Sequence, residues 1–438
     1  MSLRFEVANE KDVYELSELS KMFGEAPEFC VVEKSGADKN EQKRRLYNEL
    51  SSLTGKKLDW GILIGVRPLK LYRELTEKNG REKAEELLKS TYLISDEKLD
   101  LLHRTYDVQM DAKYDQNPKS VSLYLGIPFC PTRCLYCSFT SNKFNKEASQ
   151  AYVAALLKEI DAVKNIFDNK GMYAESIYIG GGTPTSLDDE ELELLLSSVR
   201  NAFKGPKTRE WTVEAGRPDT ITVNKLRLIH KYGADRISIN PQTMKQKTLD
   251  LIGRSHSPEQ IANAFNIAKS EGIENINADL ITGLPEETPE DFENSLKQII
   301  DLGPSNITVH TLAVKRASRL IEEDPEIAFR QAETVRKMLE ISQNMLKNAN
   351  FEPYYLYRQK HMTGNFENVG YCTKGHQNVY NIRIMDENQS NIALGAGGIS
   401  KVYFPEENRL ERIPNVSNYE IYIERIDEMI NRKEKGIL

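Results

Sequence analysis

From about residue 120 the chain alternates short, β-rich apolar runs with longer stretches of helical periodicity. The β-rich runs are 121–126 (VSLYLG), 175–180 (ESIYIG), 210–215 (EWTVEA), 235–239 (DRISI), 275–280 (NINADL) and 306–312 (NITVHTL). Between them the apolar spacing predicts helices near 147–168, 188–203, 222–232, 258–271 and 289–300. Asp188 and Ser257-Pro258 supply helix start signals, while Gly233 and Gly272 supply stops. Strands alternating with helices make βαβ units and a parallel sheet, closed into a partial barrel or open and doubly wound. Periodicity does not choose between the two. Either way, the loops after the strand C-termini are the functional ones.

Upstream, a short alternating start and helical patterns at 39–55, 67–76, 80–90 and 96–109 predict a small α+β module over 1–115, ending in a linker over 106–119. Downstream, a helix near 327–349 closes a core spanning 116–349. Residues 350–438 follow as a smaller C-terminal domain, rich in Tyr and Asn, with a Gly-rich turn at Leu394-Gly395-Ala396-Gly397-Gly398.

Composition narrows the function classes. Lys and Arg total 59 against 66 for Asp and Glu, a net charge of −7, which argues against a general nucleic-acid binder. No apolar run approaches the ~18–20 residues needed to span a bilayer, and the charged start lacks a signal-peptide core. The expectation is a cytoplasmic protein. In a reducing compartment its five cysteines are ligands or plain thiols rather than disulfide partners. Cys30 and Cys372 stand alone, but Cys130, Cys134 and Cys137 form a C-x₃-C-x₂-C run directly after the first core strand. Three thiolates on one loop suit an iron–sulfur cluster. Structural zinc normally takes four protein ligands in separated pairs, and chance clustering of buried thiols is the remaining alternative.

A strand, then C-x₃-C-x₂-C with Tyr136 before the last cysteine, then βα repeats resembles the radical S-adenosylmethionine (SAM) superfamily. The flank Tyr124-Leu125-Gly126-Ile127-Pro128-Phe129 narrows the resemblance to oxygen-independent coproporphyrinogen III oxidases (dehydrogenases) and the related haem chaperones. Trp60-Gly61-Ile62-Leu63-Ile64-Gly65-Val66-Arg67-Pro68 resembles their N-terminally extended bacterial branch. The resemblance implies a partial (β/α)6 TIM-like barrel carrying a 4Fe-4S cluster on Cys130, Cys134 and Cys137, with SAM at the fourth iron. By the same resemblance Gly181, Gly182 and Thr183, in Gly180-Gly181-Gly182-Thr183-Pro184, contact the SAM amino group. Tyr136 also belongs to that site. Glu214, Gln242, Arg254 and Asp279 hold its ribose and carboxylate, Ala313 reads the adenine, and Ile399 matches a position near a second SAM.

The implied reaction is removal of a hydrogen atom from the β-carbon of a substrate propionate by a 5′-deoxyadenosyl radical. Loss of carbon dioxide and one electron then leaves a vinyl group. Coproporphyrinogen III is the implied substrate, flavodoxin or ferredoxin the implied electron donor, and Tyr124 a candidate catalytic residue. A tetraanionic porphyrinogen needs cations, for which Arg133, Arg316, Arg319 and Arg358 are candidates. None of the six histidines pairs with an acid in sequence. The chain also departs from the family. Gly126 stands where the family often has His, and Phe139 where dehydrogenases commonly carry a fourth cysteine. The haem chaperones' His-Asn-x-x-Tyr-Trp segment aligns with His376-Gln377-Asn378-Val379-Tyr380-Asn381. That stretch lacks the segment's Trp and its adjacent Asn, so a plain loop histidine is the expectation for His376, with an axial haem ligand as the alternative.

Overall fold

The computed structural model describes residues 4–32, 38–64, 67–112, 114–137, 141–313, 331–358 and 363–437. The strands, in chain order, are β1 (Arg4–Val7), β2 (Glu28–Val31), β3 (Ser120–Ile127), β4 (Phe129–Cys130), β5 (Asn142–Lys143), β6 (Tyr173–Gly181), β7 (Glu210–Glu214) and β8 (Arg236–Ser238). They continue as β9 (Asn275–Thr282), β10 (Asn306–Thr311), β11 (Glu352–Arg358), β12 (Glu367–Cys372), β13 (Asn391–Leu394), β14 (Ile399–Phe404) and β15 (Arg409–Pro414).

Six of these match the six β-rich runs, and they pair in parallel in the order β3-β6-β7-β8-β9-β10. The order never reverses, so right-handed crossovers place every connecting helix on one face of the sheet. That is barrel winding, and it excludes the doubly wound alternative. Helices Lys146–Lys170, Asp189–Phe203, Val223–Lys231, Pro258–Ser270 and Pro289–Asp301 make the crossovers. Their starts are chemically built: Asp188, Ser257 and Thr288 each close a capping box.

The barrel does not close. β10 is flanked by the antiparallel pair β12-β11, and β3 by the parallel strand β13, followed by β14 and β15. The sheet therefore continues through the boundary drawn at 349/350, because strands from 350–438 cover both of its edges. Helix Asp96–Asp111 overruns the start of the expected linker. Residues before 55 hold a separate core of Phe5, Leu16, Leu19, Phe23, Leu46 and Leu50 around the parallel pair β1-β2. Trp60, Tyr72, Leu102 and Tyr106 belong instead to the main core. Trp60 Nε1 donates to Glu367 Oε2 on β12 at 2.7 Å, tying this segment to the sheet edge.

One buried polar cluster joins the C-terminal helix Ile426–Gly436 to the barrel. Lys433 Nζ lies 2.6 Å from Glu159 Oε1, and neither side chain is exposed. Glu159 also accepts from Gly395 N, Asn415 Nδ2 and Tyr422 Oη at 2.6–2.9 Å. Gly395 in turn sits so close to Gly126 that a Cβ would lie 2.5 Å from the Gly126 carbonyl.

Candidate functional site

The C-terminal ends of β3, β6, β7, β8 and β9 bring most of the singled-out residues together. β3 runs through Pro128 into β4, which ends on Cys130, and the loop beyond carries Cys134 and Cys137. Next to it, Gly182 N donates to Ile127 O and Thr183 N to Phe129 O, both at 2.7 Å. Thr183 Oγ1 lies 3.4 Å from Cys130 Sγ. A side chain at Gly182 would put its Cβ 2.5 Å from Phe129 O and 3.0 Å from Cys130 Sγ, while Gly181 turns through φ +108°. Only glycine lets the β6 turn lie against the cysteine strand in this way.

Glu214 ends β7. Tyr178 Oη donates to its Oε1 at 2.6 Å, and a Cβ on Gly180 would lie 2.8 Å from its carboxyl carbon. Burial pushes the Glu214 carboxyl up to about 7, with Asp279 adding to the shift and hydrogen bonds from Tyr178 and Gly181 opposing it. Asp279 behaves oppositely. Burial disfavours its charge, but the facing His310, with Nε2 3.5 Å from Oδ2, and a 2.8 Å bond from Asn277 hold it below the usual carboxylate range. Tyr124 stacks on Tyr178 and Tyr380, with centroids 6.3 and 6.2 Å away. Burial and the charge of Glu214 keep it a neutral phenol.

Gln242 bridges to Leu280 of β9 with φ +66°, its N–H bonded to Asp279 O. Arg254 reaches Gly216 O, Asn240 O and Tyr136 Oη at 2.9–3.1 Å. Tyr136 packs beside Ile252, Ile281, Leu284 and Leu312. Ala313 lies half-buried just past β10, and Ile399 is 46% exposed at the start of β14.

Among the remaining candidates, Arg358 departs from expectation. Arg358 is buried, its guanidinium bonded to the Leu63 and Asn365 carbonyls and stacked over Trp60, so it fastens the sheet edge where a substrate contact was expected. Arg316 and Arg319 lie outside the described residues, and Arg133 is exposed on the cysteine loop. His376 lies at the N-terminal end of the core strands, opposite the cysteine loop, where its carbonyl accepts from Arg236 at the start of β8 and Asn306 at the start of β10. Its Nδ1 is 3.0 Å from Thr373 Oγ1. Cys372 is buried in β12, its thiol pushed up to about 12 by burial. Histidine does pair with an acid here, because β9 and β10 register Thr308 opposite Asp279 and so bring His310 diagonally alongside.

Two further residues escaped the sequence. Arg217, buried just past β7, bonds the cysteine loop, and Tyr178 holds Glu214. Their only sequence signal is position: each lies near the C-terminal end of a core strand.

Residues 124–299 match the Radical SAM superfamily. The oxygen-independent coproporphyrinogen-III oxidase-like protein HemZ of Bacillus subtilis (strain 168) is 40% identical over 89% of this chain and 79% of its own length. This chain belongs to that radical SAM family. Haem chaperone HemW of Escherichia coli (strain K12) is a more distant relative, 28% identical over 65% of this chain and 71% of its own. The fold resembles that of coproporphyrinogen III oxidase (HemN) from Escherichia coli, with TM-score 0.57 and 21% identity over 74% of this chain and 73% of that one.

As a member of the family the protein is a radical SAM oxidoreductase with a 4Fe-4S cluster and SAM as cofactors. Its residues fit those groups. Three thiols share one loop, although among the described residues no three metal-ligating side chains are already gathered for an ion. Beside the loop lie buried polar atoms without a partner among the described residues: Asn240 Oδ1, Gln242 Oε1 and Arg254 Nε. Buried polar atoms are costly without a hydrogen-bond partner, and a bound polar ligand such as SAM would supply one. Among the described residues, no helix is long and apolar enough to cross a membrane.

Glu214 gives a test that needs no ligand. Its folded pKa lies above the ordinary carboxyl value of 4.5, so the folded state holds the proton more tightly. Its contribution to stability is therefore present at low pH and lost as pH rises from about 4.5 through about 7. The ligand-free Glu214→Gln variant is expected to lose that component, so the urea-measured stability gap between wild type and variant should move in the variant's favour as pH rises. A pH-independent gap would contradict the burial assigned to this carboxyl.

Proposed function

We propose that this protein is an oxygen-independent coproporphyrinogen III dehydrogenase, converting two propionates of its substrate to vinyl groups. The supporting observation is the length of the likeness to HemZ, which covers 89% of this chain. The E. coli haem chaperone matches only 65% of this chain.

In this reading Cys130, Cys134 and Cys137 hold the cluster. Gly181, Gly182, Thr183, Tyr136, Glu214, Gln242, Arg254, Asp279 and Ala313 hold SAM, with Ile399 near a second molecule. When bound, the cluster supplies the electron that cleaves SAM to methionine and the 5′-deoxyadenosyl radical. The chain's own residues position and shield. The Gly181–Thr183 turn offers its backbone at close range. Glu214 and Asp279 offer one carboxyl poised near neutrality and one held ionised. The neutral Tyr124, Tyr178 and Tyr380 line the barrel side of the site. Each substrate propionate gives up one hydrogen atom, one carbon dioxide and one electron, the last to an external acceptor. Residues 350–438 would cover the substrate, and Arg133, exposed on the cysteine loop, is the proposed cation to meet it. Flavodoxin or ferredoxin is the proposed donor, and the cytoplasm the proposed location.

The test is anaerobic incubation of reconstituted protein with SAM, a reductant and coproporphyrinogen III, followed by mass spectrometry. Loss of two carboxyl groups is expected. Tight haem binding with no decarboxylated product would replace this reading with that of a haem chaperone.

A further inference from the structure

Among the described residues, Arg217 is the one buried arginine at the cysteine loop to which neither the expected SAM contacts nor the expected substrate contacts assign a role. It is 3% exposed, and its guanidinium is held on every side. Nε and Nη2 form a fork onto Asp219, each at 3.0 Å. Nη2 also donates to Ser255 Oγ at 3.0 Å and Thr132 Oγ1 at 2.9 Å. Nη1 donates to Thr132 O at 3.3 Å and points at Cys134 Sγ, 3.7 Å away. The backbone behind it is pinned as well, because Thr220 N and Oγ1 both bond the Arg217 carbonyl.

From these contacts we infer that Arg217 is a positioning residue for the cysteine loop and sets the reduction potential of the cluster that the loop holds. The inference rests on the proposed assignment of Cys134 as a ligand. An N–H donated to a ligating sulfur withdraws charge from it, and a nearby cation favours the added electron; both raise the potential. Asp219 offsets part of the positive charge but leaves the N–H aimed at sulfur. The planar fork also explains the residue type: lysine cannot hold Asp219, Thr132 and Cys134 at once.

The experiment is a redox titration, followed by electron paramagnetic resonance, of anaerobically reconstituted full-length wild type, Arg217→Lys and Arg217→Gln, with iron and sulfide counted per chain. Arg217→Gln is expected to make one-electron reduction about tenfold less favourable, a midpoint ~59 mV more negative, with Arg217→Lys in between. Equal midpoints in all three proteins at full iron content would overturn the inference. Should Arg217→Gln not fold, Arg217→Lys decides alone, since a wild-type midpoint there would overturn it too. Cys134→Ala run alongside separates the two ideas: if it keeps its cluster, the ligand assignment fails. If only the arginine variants match wild type, the ligand assignment stands and the role of Arg217 falls.

Discussion

Cys134→Ala is expected to take the protein from a full four-iron complement to none, and to abolish SAM cleavage, whereas Cys372→Ala keeps both. Cys134 is buried in the loop that Arg217 clamps through Thr132 and that Leu135 N anchors to Ile252 O. With only three thiols on that loop, two do not suffice to hold the cluster. Cys372 sits in β12, paired with Asn306 at the first residue of β10 and hence at the end of the core strands opposite the cysteine loop. Its thiol stays protonated because burial raises it to about 12, and a buried protonated thiol behaves as a small apolar side chain. Iron and sulfide analysis after anaerobic reconstitution checks both variants. Cluster loss in Cys372→Ala would require a fourth protein thiolate and leave no open iron for SAM.

Lys433→Met should destabilise the fold by about 3–5 kcal/mol, the usual cost of breaking a buried pair by removing one partner. The variant leaves Glu159 buried with no counter-charge, although Gly395 N, Asn415 and Tyr422 still donate to it. The same cluster holds the turn after β13 against β3. Tyr152 Oη donates to Gly126 O at 2.6 Å and accepts from Ala396 N at 2.9 Å. The loss should therefore appear as a lower urea midpoint with an unchanged denaturant slope. A cost under about 1 kcal/mol would mean that water reaches Glu159 in the folded protein.

The framework was readable wherever its cause is local. The six core strands lie where β-rich runs end in turn residues, and the helix starts at Asp188 and Ser257 are caps whose side chains bond within their own first turn. Helix Glu10–Phe23 is not legible in the sequence although Asn9 caps it and Gly24 ends it, because charged residues interrupt its apolar stripe. β13 is not legible in the sequence because it is four residues long and is held by its partners β14 and β3, the latter some 270 residues earlier. The arginines show the same limit. Arg358 and Arg217 look alike as isolated residues. One fastens the sheet edge to Leu63, and the other reaches the cysteine loop.

By itself, the sequence determined the alternation of strands and helices, the three-cysteine loop after the first core strand, and the glycine turn after the second. Periodicity, capping and ligand spacing each act within a few residues, so no knowledge of the fold is needed to read them. Tertiary structure alone decided that the winding is barrel-like and that C-terminal strands extend the sheet at both edges. It also decided that Glu214 is poised near neutrality while Asp279 stays ionised, and that Arg217 faces Cys134. Burial, dielectric and the choice of ionic partner depend on which distant segments come to lie side by side, and parallel pairing between strands tens of residues apart, or some 270 for β13 and β3, sets that.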